Sequence, residues 1–404
     1  MISRRAFLTA ASATSVAAAG SAWWLTAPTA SATPATCELA LVNDLGTAAN
    51  AYVTGRDFAT GRMMLLRAGR DPYFLEEPPG PGTPLPVDAS IPLDATGSQP
   101  TVVTMPRMYG ARIYLVQEDV IDFYVNPGPA LVEPALHNVH DSNYGKTVSF
   151  SEFTFNDVQL FINLSYVDMV TPLPIGIRLQ GDGDHSVAPL PRGAIDGIAD
   201  DLTAQADADG QPWDDLVLRD DGGKVLRVMS PQNLMAPSAG QPDMPFAGYW
   251  KDYSEAVWDH YRHNDLTVDL QGGRGVLTGR VVGDLLTFDD GSTFAEPNSW
   301  DVFTCDHGPF TNDPADTDEK KGAIARLAAA FHRSTLLSHP DQPNGAPVSE
   351  YYTEPVTNHY ARAVHAHSPI GYAFPYDDVT PDGAPDQSGA AFDGSPTRLT
   401  ITVG

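Results

Sequence analysis

From residue 38 to about residue 180 the chain alternates short apolar runs with Gly, Pro, Asn and Asp punctuation. Residues 38–43, 51–54, 62–66, 101–106, 111–117, 121–125, 147–156, 159–170 and 175–180 each have the length and composition of a β-strand. Many short strands with turns between them suit a sandwich or a barrel. The period changes after residue 184. Residues 190–205 put Ile195, Ile198, Ala199 and Leu202 at helical spacing. Residues 253–261 and 317–334 follow the same rule, the latter with Ala323, Leu327, Ala330 and Phe331 on one face. Strand-like pieces at 225–229, 266–270, 276–282 and 285–288 lie among them, and 372–375 and 399–403 return to β. The pattern predicts a mainly β body, 37–184 and 357–404, interrupted by a mixed α/β part, 185–356, with a groove between the two.

Ahead of this pattern lies an address. Ser3-Arg4-Arg5-Ala6-Phe7-Leu8 is a twin-arginine pattern, an Ala/Ser-rich apolar run follows, and Ala30-Ser31-Ala32 is a cleavage signal. Residues 1–32 are therefore expected to be a twin-arginine signal peptide and the mature protein to be secreted. No later stretch holds eighteen consecutive apolar residues, so no membrane is expected to hold the mature form. The 24 basic and 51 acidic residues give a net charge of −27, or −29 once Arg4 and Arg5 are removed. Such a charge repels phosphate backbones and anionic lipids, which excludes nucleic acid as an expected partner. A neutral polymer such as a polysaccharide meets no such penalty. Cys37 and Cys305 are the two thiols. An exported protein allows them to pair, and the sequence does not say whether they meet.

The chemistry concentrates in two carboxylates sixteen residues apart, Glu152 and Asp168, inside runs that otherwise read as strand. Strands disfavour both residue types, so each needs a partner, a solvated face or a task. By the period of two, Glu152, Thr154 and Asn156 share one face while Phe153 and Phe155 point toward a core. That polar row suits sugar hydroxyls and equally suits a solvated sheet face. If Asn156-Asp157 makes a tight turn, Glu152 pairs near Phe161 and Asp168 lies ~23 Å further along a straight strand. The two can cooperate only if the chain bends or changes sheet before Asp168. Asp377-Asp378, beside Tyr376, suits a groove lining or a turn. His137-Asn138-Val139-His140 and His365-Ala366-His367 have no third ligand in view, and Asp207-Ala208-Asp209-Gly210 lacks the Glu that completes a calcium loop, so no metal or cofactor is expected.

Ser151-Glu152-Phe153-Thr154-Phe155-Asn156, followed by Ser165-Tyr166-Val167-Asp168, resembles glycoside hydrolase family 64, the β-1,3-glucanases that include the laminaripentaose-producing type. Residues 110–115, 126–132 and 302–308 agree, and Tyr372-Ala373-Phe374-Pro375-Tyr376-Asp377-Asp378-Val379 looks like the close of the wider thaumatin-like superfamily. The resemblance spans most of the mature chain. It implies a thaumatin-like β-sandwich or barrel domain plus a mixed α/β domain flanking a wide groove for β-1,3-glucan. It also implies a monomer that inverts at the anomeric carbon, with Glu152 as general acid and Asp168 as general base. Thr154 and Asn156 match family positions that contact sugar, and Phe161, Ser165 and Asp377 are further candidates. The other reading is a non-catalytic thaumatin-like glucan-binding or antifungal protein, which could lose either carboxylate without penalty. An enzyme of this fold acting on another neutral β-glucan is a third.

Overall fold

A computed structural model describes residues 33–235, 244–368, 370–385 and 387–404; the expected signal peptide lies outside them. Two β-sheets form the body. The larger runs in the order Ala390–Asp393, Leu160–Asn163, Val148–Phe155, Met108–Gln117, Ala49–Asp57, Met63–Arg67, Arg70–Phe74, with Ile91–Leu93 also paired to Ala49–Asp57. The smaller runs Asp184–Val187, Ile175–Gln180, Arg398–Val403, Thr36–Asn43, Thr101–Pro106. Thr36–Asn43 and Arg398–Val403 pair in parallel, which ties the two ends of the described chain into one sheet. Between the sheets Leu39, Leu41, Val53, Ile113, Phe153, Phe155, Leu160, Ile162 and Ile401 pack into one core. Alternation along each strand supplies these residues, since every second side chain points inward.

The other face of the larger sheet carries three successive cross-strand rows. Tyr52, Tyr114 and Phe150 form the first, and Ile121, Phe123 and Val125 cover it. Thr54, Arg112, Glu152 and Asn163 form the second. Thr154, Phe161 and Phe392 form the third. A bulge at Tyr109–Gly110 shifts the register beside the third row, and Gly110 takes φ 52 there. Glycine adopts that left-handed conformation without the strain a Cβ would bring.

Thr83–Pro84, Tyr124–Asn126 and Ala130–Val132 pair in a small three-stranded sheet, and the rest of the chain builds helices and two further small sheets. Met169–Val170, Val225–Met229 and Val217–Arg219 form one sheet, and Leu266–Asp269, Val276–Val282, Leu285–Phe288, Thr293–Ala295 and Asp341–Gln342 the other. The Asp318–Arg333 helix is capped by Thr317 and buried on all sides from Gly322 onward, including Arg326 and Arg333. Sequence periodicity suggests only one buried face there; the sheet that includes Leu266–Asp269 and the helices around it enclose the rest. Trp213, Trp250 and Trp258 are core residues. Among the described residues no helix is long and apolar enough to cross a membrane.

Of the expected strand 121–125 only the end forms, as Tyr124–Asn126, and two further expected strands differ more. Residues 159–170 do not form one strand: pairing stops at Asn163, and Met169–Val170 joins Val225–Met229 in a different sheet. Residues 372–375 form no strand, only a single parallel bridge between Ser165 and Tyr372. The last two departures have one cause. After Asn163 the chain leaves the large sheet by running past Tyr372, where the Tyr166 N–H donates to the Tyr372 carbonyl at 2.7 Å. Cys37 and Cys305 are both buried free thiols, so the pairing open to an exported protein is not made.

Arg227 binds the helical part to the body. It is buried and donates to the carbonyls of Leu136 (2.7 Å), Tyr144 and Lys146 (3.0 Å). Burial lowers its pKa to about 10, which leaves it charged at neutral pH. Arg227→Met would strand three carbonyl acceptors. It is expected to cost ~3 kcal/mol in urea unfolding, since hydrogen bonds to charged groups contribute that order each and neighbours relax in part.

Candidate active site

The change of sheet after Asn163 brings Asp168 back over the face that carries Glu152. The hairpin before it turns at Asp157-Val158, with the Asn156 N–H donating to the Gln159 carbonyl. Glu152 therefore pairs with Asn163, not near Phe161. The short remaining run to Asp168 folds over the sheet instead of extending along it. Asp168 is then clamped from the helical part. Its carbonyl accepts from the Ser230 N–H (3.0 Å) and from Asn233 Nδ2 (2.9 Å), and Gln232 Nε2 donates to the Val167 carbonyl (3.0 Å) and to Asp168 Oδ1 (3.4 Å).

One guanidinium joins the two carboxylates. Arg112, between Thr54 and Glu152 in the ladder, places Nη2 2.9 Å from Glu152 Oε1 and 3.8 Å from Asp168 Oδ2. Two contacts of 2.9 and 3.8 Å to one nitrogen put these oxygens no more than about 6.7 Å apart. Arg112 Nε also donates to Glu152 Oε1, at 3.0 Å. Both guanidinium bonds thus fall on the same oxygen, and Oε2 is the one on which a proton can sit. Arg112 Nη1 reaches Glu133 Oε2 at 3.2 Å and the Tyr114 hydroxyl at 3.3 Å, and the guanidinium lies 4.7 Å over the Phe150 ring. Thr54 donates to the other oxygen of Glu133 at 3.4 Å.

The electrostatics follow from this packing. Burial alone would lower the Arg112 pKa, but Tyr114, Glu133, Glu152 and Asp168 together push it well above its ordinary value. Glu152 goes the other way. Loss of hydration raises its pKa from 4.5; Arg112 opposes the rise, and Asp168 adds to it. Side-chain exposures of 27 % for Glu152 and 40 % for Asp168 leave both reachable from solvent.

The other candidates divide. Thr154 and Phe161 pair across the ladder on the same face as Glu152, both half-buried. Ser165 is half-buried in the bridge that ends the sheet excursion. Asn156 does not continue the polar row: its Oδ1 accepts from the Val158 and Gln159 N–H groups and closes the turn. Asp377, a candidate for sugar contact, is fully enclosed. It bonds Arg333 Nη2 (3.0 Å), His365 Nε2 (2.7 Å) and the Ala373 N–H (2.9 Å). Enclosure would raise its pKa, yet His365 and Arg333 hold it below the usual carboxylate range. A sugar has no path to it. Arg112 and Glu133 were missed as site residues. Arg112 stands in a block that carries the family resemblance, and an arginine on a strand face opposite a carboxylate was the available signal. Glu133 had none, since it reaches the site from an irregular segment.

With this geometry in view, the comparisons with known proteins are specific. A family model described as beta-1,3-glucanase matches residues 35–403. The chain belongs to the beta-1,3-glucanase family, glycoside hydrolase family 64. Glucan endo-1,3-beta-glucosidases of Cellulosimicrobium cellulans and Arthrobacter sp. (strain YCWD3) are 32% identical to it over 295 and 297 residues. Each alignment covers 70% of this chain and 50% of the relative, so the chain spans about half the length of these relatives. A crystal structure of a laminaripentaose-producing beta-1,3-glucanase in complex with laminaritetraose has a TM-score of 0.78 and 32% identity, covering 92% of this chain and 99% of that one. A beta-1,3-glucanase domain from Clostridium beijerinckii, at 22% identity and a TM-score of 0.70 over 94% and 100% of the two chains, shares the fold.

The raised pKa of Glu152 has a consequence for stability. The folded protein holds this proton more tightly than the unfolded chain does. The stability so gained is full below pH 4.5 and is lost as pH rises through the raised value. Glu152→Gln cannot ionise. Its melting temperature relative to wild type is therefore expected to be higher at about pH 7 than at about pH 4, measured by calorimetry at both.

Proposed function

We propose that this chain is a secreted endo-acting β-1,3-glucanase that hydrolyses its substrate with inversion. The observation that carries the reading is the single Arg112 nitrogen within reach of both Glu152 and Asp168. It makes a carboxylate on the large sheet and one in the bend before Met169–Val170 into one unit and leaves Glu152 Oε2 for a proton. Glu152 is the general acid that gives that proton to the leaving glycosidic oxygen. Asp168, oriented by Gln232 and by the bonds to its backbone, is the general base that activates water on the opposite face of the ring. Inverting enzymes hold the two carboxyls ≈ 6.5–9.5 Å apart and retaining ones ≈ 5–5.5 Å. The ceiling of about 6.7 Å on one oxygen pair admits either spacing, so inversion rests on the family resemblance.

Thr154, Phe161 and Ser165 would line the path of the glucan, and Asn156 would contribute only its amide N–H groups, its oxygen being held in the turn. The path would run in a wide groove between a thaumatin-like β body and the mixed α/β part. Export by the twin-arginine route, action as a monomer and independence of metals or cofactors complete the proposal. A net charge of −27 fits a neutral polymer as substrate. The presence of both carboxylates, with one arginine in reach of each, favours an enzyme over a glucan-binding protein without activity.

A proton NMR time course on a soluble β-1,3-glucan tests this. The α-anomer is expected to appear first. Glu152→Gln and Asp168→Asn are each expected to lower kcat by ~10²–10⁴-fold, the usual weight of general acid–base catalysis. Early β-anomer would overturn inversion, and no new reducing ends would overturn the enzyme reading.

A further inference from the structure

The third row of the sheet face continues past Phe161 to an exposed aromatic pair. Phe392, on the edge strand Ala390–Asp393, is the cross-strand partner of Phe161 and is 44 % exposed. A single open phenylalanine is ordinary on a protein surface, so the weight falls on what lies beside it. His185, itself 45 % exposed, lies beside it with ring centroids 6.1 Å apart and planes 19° apart. Near-parallel rings at that distance are offset, so each keeps part of its face open. The pair is built and not incidental. Asp393, buried next to Phe392, accepts from the N–H groups of Asp182 (3.2 Å), Gly183 (2.9 Å) and Ser395 (2.7 Å). These bonds fix the 175–187 hairpin, and with it His185, against the edge strand.

Resting on the glucanase reading above, we propose that Phe392 and His185 form a distal subsite that stacks on sugar rings of the same glucan chain whose scissile bond lies at Glu152. Phe392 is two strands from Thr154, ~10 Å at the usual strand spacing, on the same face and in the same row. A chain crossing the sheet from Glu152 over Phe161 meets it next. The apolar faces of pyranose rings match aromatic faces, and no charge is required of the ligand. The subsite therefore adds affinity for long chains and none for oligosaccharides too short to span the distance.

Binding of a β-1,3-oligosaccharide length series and of soluble β-1,3-glucan is measured by calorimetry in a Glu152→Gln background, with and without Phe392→Ala. Affinity is expected to climb with length until the chain spans the sheet. Phe392→Ala should lower long-chain affinity by ~10-fold, the scale of one aromatic contact, and flatten the climb, and Phe392→Trp should restore it. An equal loss at every length, no loss at all, or a change only in self-association by sedimentation would overturn the subsite. Hydrolysis by the wild-type chain is scored separately. Phe392-dependent binding by a chain that cleaves nothing would support the subsite and remove only the catalytic reading.

Discussion

The arrangement of this site depends on one half-buried cation. Arg112 holds Glu133, Glu152 and Asp168 within a few ångströms of one guanidinium, with the Phe150 ring beneath it. Three carboxylates this close would repel one another strongly without it, and a guanidinium in this setting would be costly without them. The planar fork explains why arginine and not lysine stands here. Nε and Nη2 point at Glu152, Nη1 at Glu133, and Nη2 faces Asp168 as well. The cluster therefore links two regions of the chain: the large sheet, which supplies Arg112 and Glu152, and the segment clamped by Ser230, Gln232 and Asn233, which supplies Asp168.

The opposing effects on Glu152 follow from the same contact. Burial favours its neutral form and Arg112 its charged form, and burial prevails. A carboxyl that is slightly too acidic loses its proton before it can donate it, and one that is too weak an acid donates poorly. An arginine that shares its charge among three carboxylates moderates Glu152 less than one devoted to it would. Glu133 occupies Nη1 and, through Thr54, ties the fork to the next strand.

Much of the scaffold was legible along the chain, and the reasons are local. The strands at Thr101–Pro106, Ile175–Gln180, Val225–Met229 and Val276–Val282 have clean turn signals at both ends, and their limits match the expected ones. Thr317 caps the start of the Asp318–Arg333 helix as such residues do, while Ser334 ends it at φ 55, a left-handed position that glycine more often fills. The inward orientation of Phe153 and Phe155, and with it the outward orientation of Glu152, followed from the period of two. The departure at Asn163 was not legible. Residues 164–170 are apolar enough to continue a strand, and long-range bonds of Leu164 to Gly389 and Tyr372 and of Tyr166 to Tyr372 and Tyr360 divert them. Asp377 failed for a related reason: an acidic pair among tyrosines looks exposed until the buried Arg333 and His365 are seen around it. Long-range pairing, invisible in periodicity, decided both.

The central claim is that burial raises the Glu152 pKa while Arg112 holds it down. A carbon-13 NMR titration of the Glu152 carboxyl, in wild type and in Arg112→Gln, tests it without recourse to activity. The midpoint is expected above 4.5 in the wild type and higher still in Arg112→Gln. A wild-type midpoint at or below 4.5, or a midpoint that Arg112→Gln leaves in place or lowers in a protein that still melts cooperatively, would contradict it.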